Sequence, residues 1–136
     1  MNPRERVVSN IMQTDVTSVK ESDVLDIGQL LRLRWLRDMP VLDGTKLVGV
    51  VSIGDLLCAC IAQLQNTGPN ARREPFGVRI GDVMIRDVVS IGYDATLGEA
   101  AELMKLQEVA FLPMVDADGE LIGAVTESDL VRATLW

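Results

Sequence analysis

The chain has 136 residues, 48% of them hydrophobic and 24% charged, with a net charge of −7. That size allows one ordinary core or two small halves sharing one, and no apolar run reaches the length a membrane span requires. Residues 1–72 balance eight Lys or Arg against eight Asp or Glu, whereas residues 73–136 carry five against twelve, so the second half repels a long polyanion such as DNA.

No basic stretch with an apolar core and cleavage site opens the sequence. The expected location is the cytoplasm, or an organelle matrix if a transit peptide has been removed, with no membrane partner. There is no histidine, which argues against a Cys/His zinc site and against a Ser-His or Cys-His nucleophile pair. Cys58 and Cys60 stand two apart in a predicted helix and point to nearly opposite faces, so they are read as two small buried hydrophobes rather than as chelators.

In chain order, a short helix ending near Met12 leads into a strand at Val16–Val19. A helix follows from about Leu25 to Leu36, with Leu25, Leu31 and Trp35 among its core-facing candidates. Pro40 opens a strand, because proline is tolerated at a strand start and not within it. The Asp43-Gly44 turn returns the chain into Leu47–Ser52 as a hairpin, and a last helix starts after Ser52. A breaker-rich stretch at 66–77 reads as a linker. The same order then recurs: a short helix ending near Met84, a strand at Val88–Ile91, and a helix from Leu97 to about Gln107 with a Thr96/Glu99 capping box. Pro113 opens the next strand, and the hairpin ends in Leu121–Thr126 and a final helix.

The recurrence is an internal duplication. Met12 and Met84, Asp15 and Asp87, Ser18 and Ser90, and Leu31 and Leu103 are 72 apart, Pro40 and Pro113 are 73 apart, and Gly49 and Gly123, and Asp55 and Asp129, are 74 apart. Each added residue falls at a helix end or in the hairpin turn, where insertion is cheap. The predicted fold class is therefore α+β, with two pseudo-symmetric β-α-β-β-α repeats at 7–65 and 78–134. Each repeat alone is marginal for independent folding. The two are expected to pack sheet to sheet in one globular module, with their strand-to-helix junctions around a central cleft.

Those junctions carry the chemistry. In Gly49-Val50-Val51-Ser52-Ile53-Gly54-Asp55 and Gly123-Ala124-Val125-Thr126-Glu127-Ser128-Asp129, a buried strand hands over to a helix N-terminus. There, unpaired amides and the positive end of the helix dipole can hold a small anion. The Ser or Thr followed three residues later by an acid also suits a plain capping box, the acid reaching back to the cap amide. Capping and ligand contact are compatible.

Tandem Met-terminated short helices, then Pro-Val-Leu-Asp or Pro-Met-Val-Asp, then Gly-x-x-(Ser/Thr)-x-x-Asp, resemble a pair of cystathionine β-synthase (CBS) domains, the arrangement called a Bateman module. The resemblance runs from about Val7 to Ala133. It implies a homodimer, no catalysis of its own and no cofactor. It also implies clefts that bind AMP, ADP, ATP or S-adenosylmethionine as regulatory ligands, and a protein partner that the module regulates. By the same resemblance, Asp55 and Asp129 would accept the ribose hydroxyls, while Ser52 and Thr126 would meet the ribose or α-phosphate. Val16, Thr17, Val88 and Val89 would flank and read the adenine. Related modules often carry basic residues two and three places before the hairpin proline; Arg37 is the cation this chain has there, with Asp38 beside it, against Ala110 and Phe111 in the second repeat. With so little positive charge, AMP or S-adenosylmethionine is expected to bind at least as tightly as ATP.

Two further function classes stand beside the ligand-sensing module. A scaffold with empty clefts would use its faces to dimerise or clamp another protein. An enzyme is disfavoured, since no phosphate-cradling Gly-rich loop and no metal-ligand cluster is present. Dimerisation is expected to cover apolar helix faces near Leu30, Leu33 and Leu36, and near Leu103 and Leu106.

Overall fold

The computed structural model describes residues 2–33, 35–64 and 77–135. Arg34, the last residue of the first predicted repeat at 65 and nearly all of the predicted linker lie outside the described residues. The chain is mixed α+β and forms two compact units. One comprises Thr17–Gly44 and Val48–Val88, the other Met1–Val16, Thr45–Leu47 and Val89–Trp136. Each unit thus takes the leading segment of the other repeat.

In the unit built on Thr17–Gly44, β1 (Val19–Lys20) runs parallel to β3 (Asp38–Asp43), which neighbours β4 (Lys46–Ser52) across the Asp43-Gly44 turn. Between them lie β2 (Val24–Leu25) and α1 (Ile27–Arg32), and β4 hands over to α2 (Ile53–Leu64). The leading segment of the second repeat closes this unit: β5 (Val78–Arg79) pairs with β2, and α3 (Ile80–Val83) follows. The core gathers Leu30, Met39, Val41, Val51, Leu56 and Ile80.

The other unit repeats the plan with β6 (Ile91–Gly92), α4 (Leu97–Gln107), β7 (Phe111–Val115), β8 (Leu121–Thr126) and α5 (Glu127–Thr134). Its core holds Val8, Ala100, Leu112, Met114 and Val125, and Val8 comes from the leading segment of the first repeat. Two glycines make room for the incoming segments. A Cβ on Gly123 would stand 2.7 Å from Met12 Sδ and 2.8 Å from the Gln13 carbonyl, and one on Gly49 would stand 2.9 Å from the Ile85 carbonyl. Gln13 and Ala124 then exchange two backbone hydrogen bonds at 2.8 and 2.9 Å, as Ile85 and Val50 do at 2.8 and 3.0 Å. The glycine of each repeated motif is therefore a notch in a strand edge, filled by a Met and its neighbour.

Both hairpins, both late helices and the Thr96/Glu99 capping box stand where the sequence predicts them. The strands expected at Val16–Val19 and Val88–Ile91 start late, at Val19 and Ile91. The prolines explain this. They lie inside β3 and β7 rather than at their starts. Pro113 faces Ala124, whose own N–H and C=O turn away to Gln13, so no bond to β8 is lost at that position. Its missing N–H falls on the β6 side, and with Ile91 opposite Met114 and Val19 opposite Val41 the parallel ladders stop one residue after each proline.

The helix expected from Leu25 to Leu36 is also shorter. Leu25 is buried but belongs to β2, and Asp26 caps α1 in an unforeseen capping box with Gln29. Beyond Arg32 the turn tightens, with Leu33 N–H donating to the Leu30 carbonyl at 3.1 Å and Leu36 N–H to the Leu33 carbonyl at 2.9 Å. A three-residue step brings Leu30, Leu33 and Leu36 onto the core and leaves Leu31 and Trp35 outside, 52% and 71% exposed. The patches expected to drive dimerisation are accordingly used up internally: Leu30 is fully buried and Leu33, Leu36 and Leu103 lean on their own cores, whereas Leu106 stays exposed. Cys60 is buried as expected, but Cys58, on the opposite face of α2, is exposed.

Candidate functional site

Both candidate junctions are strand-to-helix turns in which the hydroxyl caps the helix. Ser52 Oγ accepts from the Asp55 amide at 3.0 Å, and Thr126 Oγ1 accepts from the Asp129 amide at 3.3 Å. The residue that leads into the first strand of each hairpin also reaches its junction. The Ile53 amide donates to the Arg37 carbonyl at 2.9 Å and the Glu127 amide to the Ala110 carbonyl at 2.9 Å. This brings Arg37 and Asp38 beside Ser52 and Asp55, and puts Ala110 and Phe111 at the same place beside Thr126 and Asp129.

The two acids differ sharply. Asp129 is 7% exposed, and its Oδ2 accepts from the Thr126 amide at 2.8 Å, completing a reciprocal capping box. The Gln13 side-chain amide donates to both carboxylate oxygens at 3.1 Å, and Arg132 donates to Oδ1 at 2.7 Å. Burial alone would raise the pKa of this carboxyl. The Thr126 amide, Arg132, Gln13 and the Thr126 side chain outweigh burial and hold it below the usual carboxylate value. Asp55, by contrast, is exposed, and among the described residues no donor reaches its carboxylate. Its neighbour Asp38 is half-buried and titrates above the usual value, pushed up by burial, opposed by Arg37 and pushed further by Asp55.

The remaining candidates sit in the short stretches that the prolines leave outside the parallel ladders. Val16, Val88 and Val89 are partly buried and Thr17 is exposed. Thr17, Arg37, Ser52, Asp55 and Val88 belong to one compact unit, and Val16, Val89, Thr126 and Asp129 to the other. Sequence reasoning missed Gln13 and Arg132. The Asp129/Arg132 spacing was a visible signal, and nothing local marked Gln13. Among the described residues no cluster of His, Cys, Asp or Glu suits a metal ion, and no helix is long and apolar enough to cross a membrane.

The CBS domain family profile matches residues 8–62 and 80–135. An uncharacterized protein of Methanocaldococcus jannaschii is 27% identical over 99% of this chain and 95% of its own length. An inosine-5'-monophosphate dehydrogenase of Korarchaeum cryptofilum is 30% identical over 93% of this chain, which spans only 24% of that enzyme. Among solved structures, CBSX2 in complex with AMP is 34% identical, covers 96% of both chains and superimposes with a TM-score of 0.75. With two matched copies spanning most of its length, the chain belongs to the CBS domain family as a tandem pair.

Proposed function

We propose that this CBS pair is a regulatory module that binds an adenosine ligand, has no catalysis of its own, and passes its bound or empty state to a partner protein. The observation that carries the reading is the gathering of a capping hydroxyl, a helix N-terminus, a carboxylate and the Arg37 side of β3 at one strand-to-helix turn. The AMP held by a neighbour of similar length supports the ligand class. A carboxylate at such a turn supplies two acceptor oxygens side by side for the ribose hydroxyls. The helix amides and Arg37 suit one phosphate. The backbone around Val16-Thr17 and Val88-Val89, outside the ladders, is the part left to read a base.

Calorimetric titration with AMP tests this directly. Saturable binding is expected, and AMP at a hundred times its dissociation constant adds about 2.7 kcal/mol of stability. In competition, AMP is expected to bind at least as tightly as ATP without magnesium. A tenfold preference for ATP, about 1.4 kcal/mol, would show that more cations serve the phosphates than Arg37. No heat and no thermal shift at millimolar AMP, ATP and S-adenosylmethionine would leave the scaffold reading in its place.

The module is further proposed to act as a homodimer. Leu106 on α4 is 77% exposed, and Val131 and Leu135 at the end of the chain are 54% and 76% exposed. Between α4 and α5 runs a shallow groove whose apolar lining includes Ala101, Met104, Val109 and Leu130. A second copy of the chain is the occupant proposed for this face.

A further inference from the structure

The two junctions are copies in sequence and differ in what meets their carboxylates. An ionised carboxylate has about four lone-pair positions to offer. At Asp129 all are used: Oδ2 takes the Thr126 amide and Gln13, and Oδ1 takes Gln13 and Arg132. Because a carboxylate only accepts, the Gln13 side chain must present its NH2 group there. The acid is also nearly inaccessible, at 7% exposure.

The duplication shows what stands at the same places in the other unit. Arg132 lies three residues beyond Asp129, and the residue three beyond Asp55 is Cys58. Gln13 bridges Ala124 and Ile85 bridges Val50, so Ile85 is the structural counterpart of Gln13. Neither side chain can play the part: isoleucine carries no donor, and the Cys58 thiol is at best a weak one. Asp55 is exposed and lacks a donor among the described residues, while Arg37 and Asp38 replace the apolar Ala110 and Phe111 beside it. The same backbone therefore presents one open carboxylate and one that is filled.

We infer that the Ser52–Asp55 junction is the ligand-bearing one, and that Gln13 and Arg132 act as built-in occupants of the Thr126–Asp129 junction, closing it to ribose hydroxyls. The chain then takes one adenosine ligand, and the second junction is a fastening between the leading segment of the first repeat and α5. This rests on the proposed ligand class and decides which of two equivalent acids serves it. A ligand seeking Asp129 would have to displace a bidentate amide and a guanidinium, each replaceable only by a hydroxyl of lesser or equal donor strength.

The test is the stoichiometry of AMP binding by calorimetry on the full chain. The wild type is expected to bind one AMP per chain, and Asp55→Asn, at an exposed position that leaves the fold intact, is expected to weaken it at least tenfold. Removing the occupants with Gln13→Ala and Arg132→Ala together is expected to raise the stoichiometry to two. If that variant unfolds, the reverse construction serves: Ile85→Gln with Cys58→Arg should fill the first junction and weaken AMP at least tenfold. Two AMP per wild-type chain, or wild-type affinity surviving Asp55→Asn, overturns the inference while leaving the ligand class standing. Absence of any AMP binding by the wild type overturns the ligand class and the inference together.

Discussion

Asp129 and Asp38 sit at equivalent kinds of junction, yet their surroundings push them in opposite directions, below and above the ordinary carboxylate value. For Asp129, burial is outweighed by the Thr126 amide, Arg132 and Gln13. A depressed folded-state pKa contributes stability that is fully present above the unfolded value, about 3.9, and is lost as pH falls through the folded value. Asp129→Asn is therefore expected to lower unfolding stability at pH 7 by about 1.5–3 kcal/mol, the range for hydrogen bonds to a charged group. The gap to wild type should shrink as pH falls below about 4, where the unfolded state takes up the proton before the folded state does, and it is lost once pH passes the lowered folded value. Urea titrations at pH 7 and pH 3.5 check this, and an unliganded midpoint unaffected at pH 7 would mean that the network contributes nothing.

Asp38 has the reverse sign: burial raises it, Arg37 opposes and Asp55 adds to the rise. Its contribution to stability falls as pH rises from the unfolded value through the raised folded one. At neutral pH it is a negative charge beside Arg37 and repels a phosphate. Asp38→Asn should tighten AMP relative to adenosine by about sevenfold at pH 7, as expected for a repulsion of roughly 1.2 kcal/mol between one carboxylate and a nearly doubly ionised phosphate across about 7 Å of water-like dielectric. The advantage should vanish as pH falls and the wild-type carboxyl takes its proton. The phosphate's own second ionisation, near pH 6, occurs with both proteins, so their difference isolates Asp38. A pH-independent ratio would remove Asp38 from the phosphate end.

At the scale of elements, the strand glycines decide how the leading segments seat. Gly123→Ala puts a methyl 2.7 Å from Met12 Sδ and 2.8 Å from the backbone carbonyl of Gln13. The thioether can bend aside, but the carbonyl belongs to a bridge whose bonds measure 2.8 and 2.9 Å. The substitution should lower stability by about 1–3 kcal/mol, as overpacking does, and speed amide exchange in residues 8–13 before the rest of the chain. Gly119→Ala is strained for another reason: its φ of +81° belongs to the turn, and open space surrounds it. It should affect stability without selective exchange in residues 8–13. Equal exchange patterns for the two variants would refute the notch.

For the whole molecule, the expected dimer has a different basis from the one composition suggested. Most of the leucines that looked too apolar for water are covered by their own cores, and the surface proposed for the dimer instead is the groove between α4 and α5, with Val131 in its lining and Leu106 and Leu135 among the exposed apolar side chains of the same two elements and the residue that follows them. A dimer through this face should scatter light as two chains at tens of micromolar. Leu106→Glu with Val131→Glu, both exposed, should return it to one chain without loss of secondary structure. A dimer that survives those changes would locate the interface elsewhere.

Much was legible from residues alone because it depends on local chemistry. The offset of 72 to 74 residues gave away the duplication, Asp-Gly pairs the hairpins, and Thr96 with Glu99 the start of α4. Asp26 with Gln29 was equally readable, but the leucine-rich stretch beside it drew the predicted helix start two residues too early. The late strand starts follow from Pro40 and Pro113 only when the parallel register is known, because only then does a missing N–H face a particular neighbour. Which leading segment enters which unit, and what fills a given carboxylate, lay beyond the sequence pattern. Gln13 and Asp129 are 116 residues apart, and periodicity, propensity and capping signals act over a few residues. Sequence determined that two near-identical junctions exist; tertiary packing decided that one carboxylate is saturated by the chain itself and the other faces solvent, because hydrogen-bond partners are set by position in space.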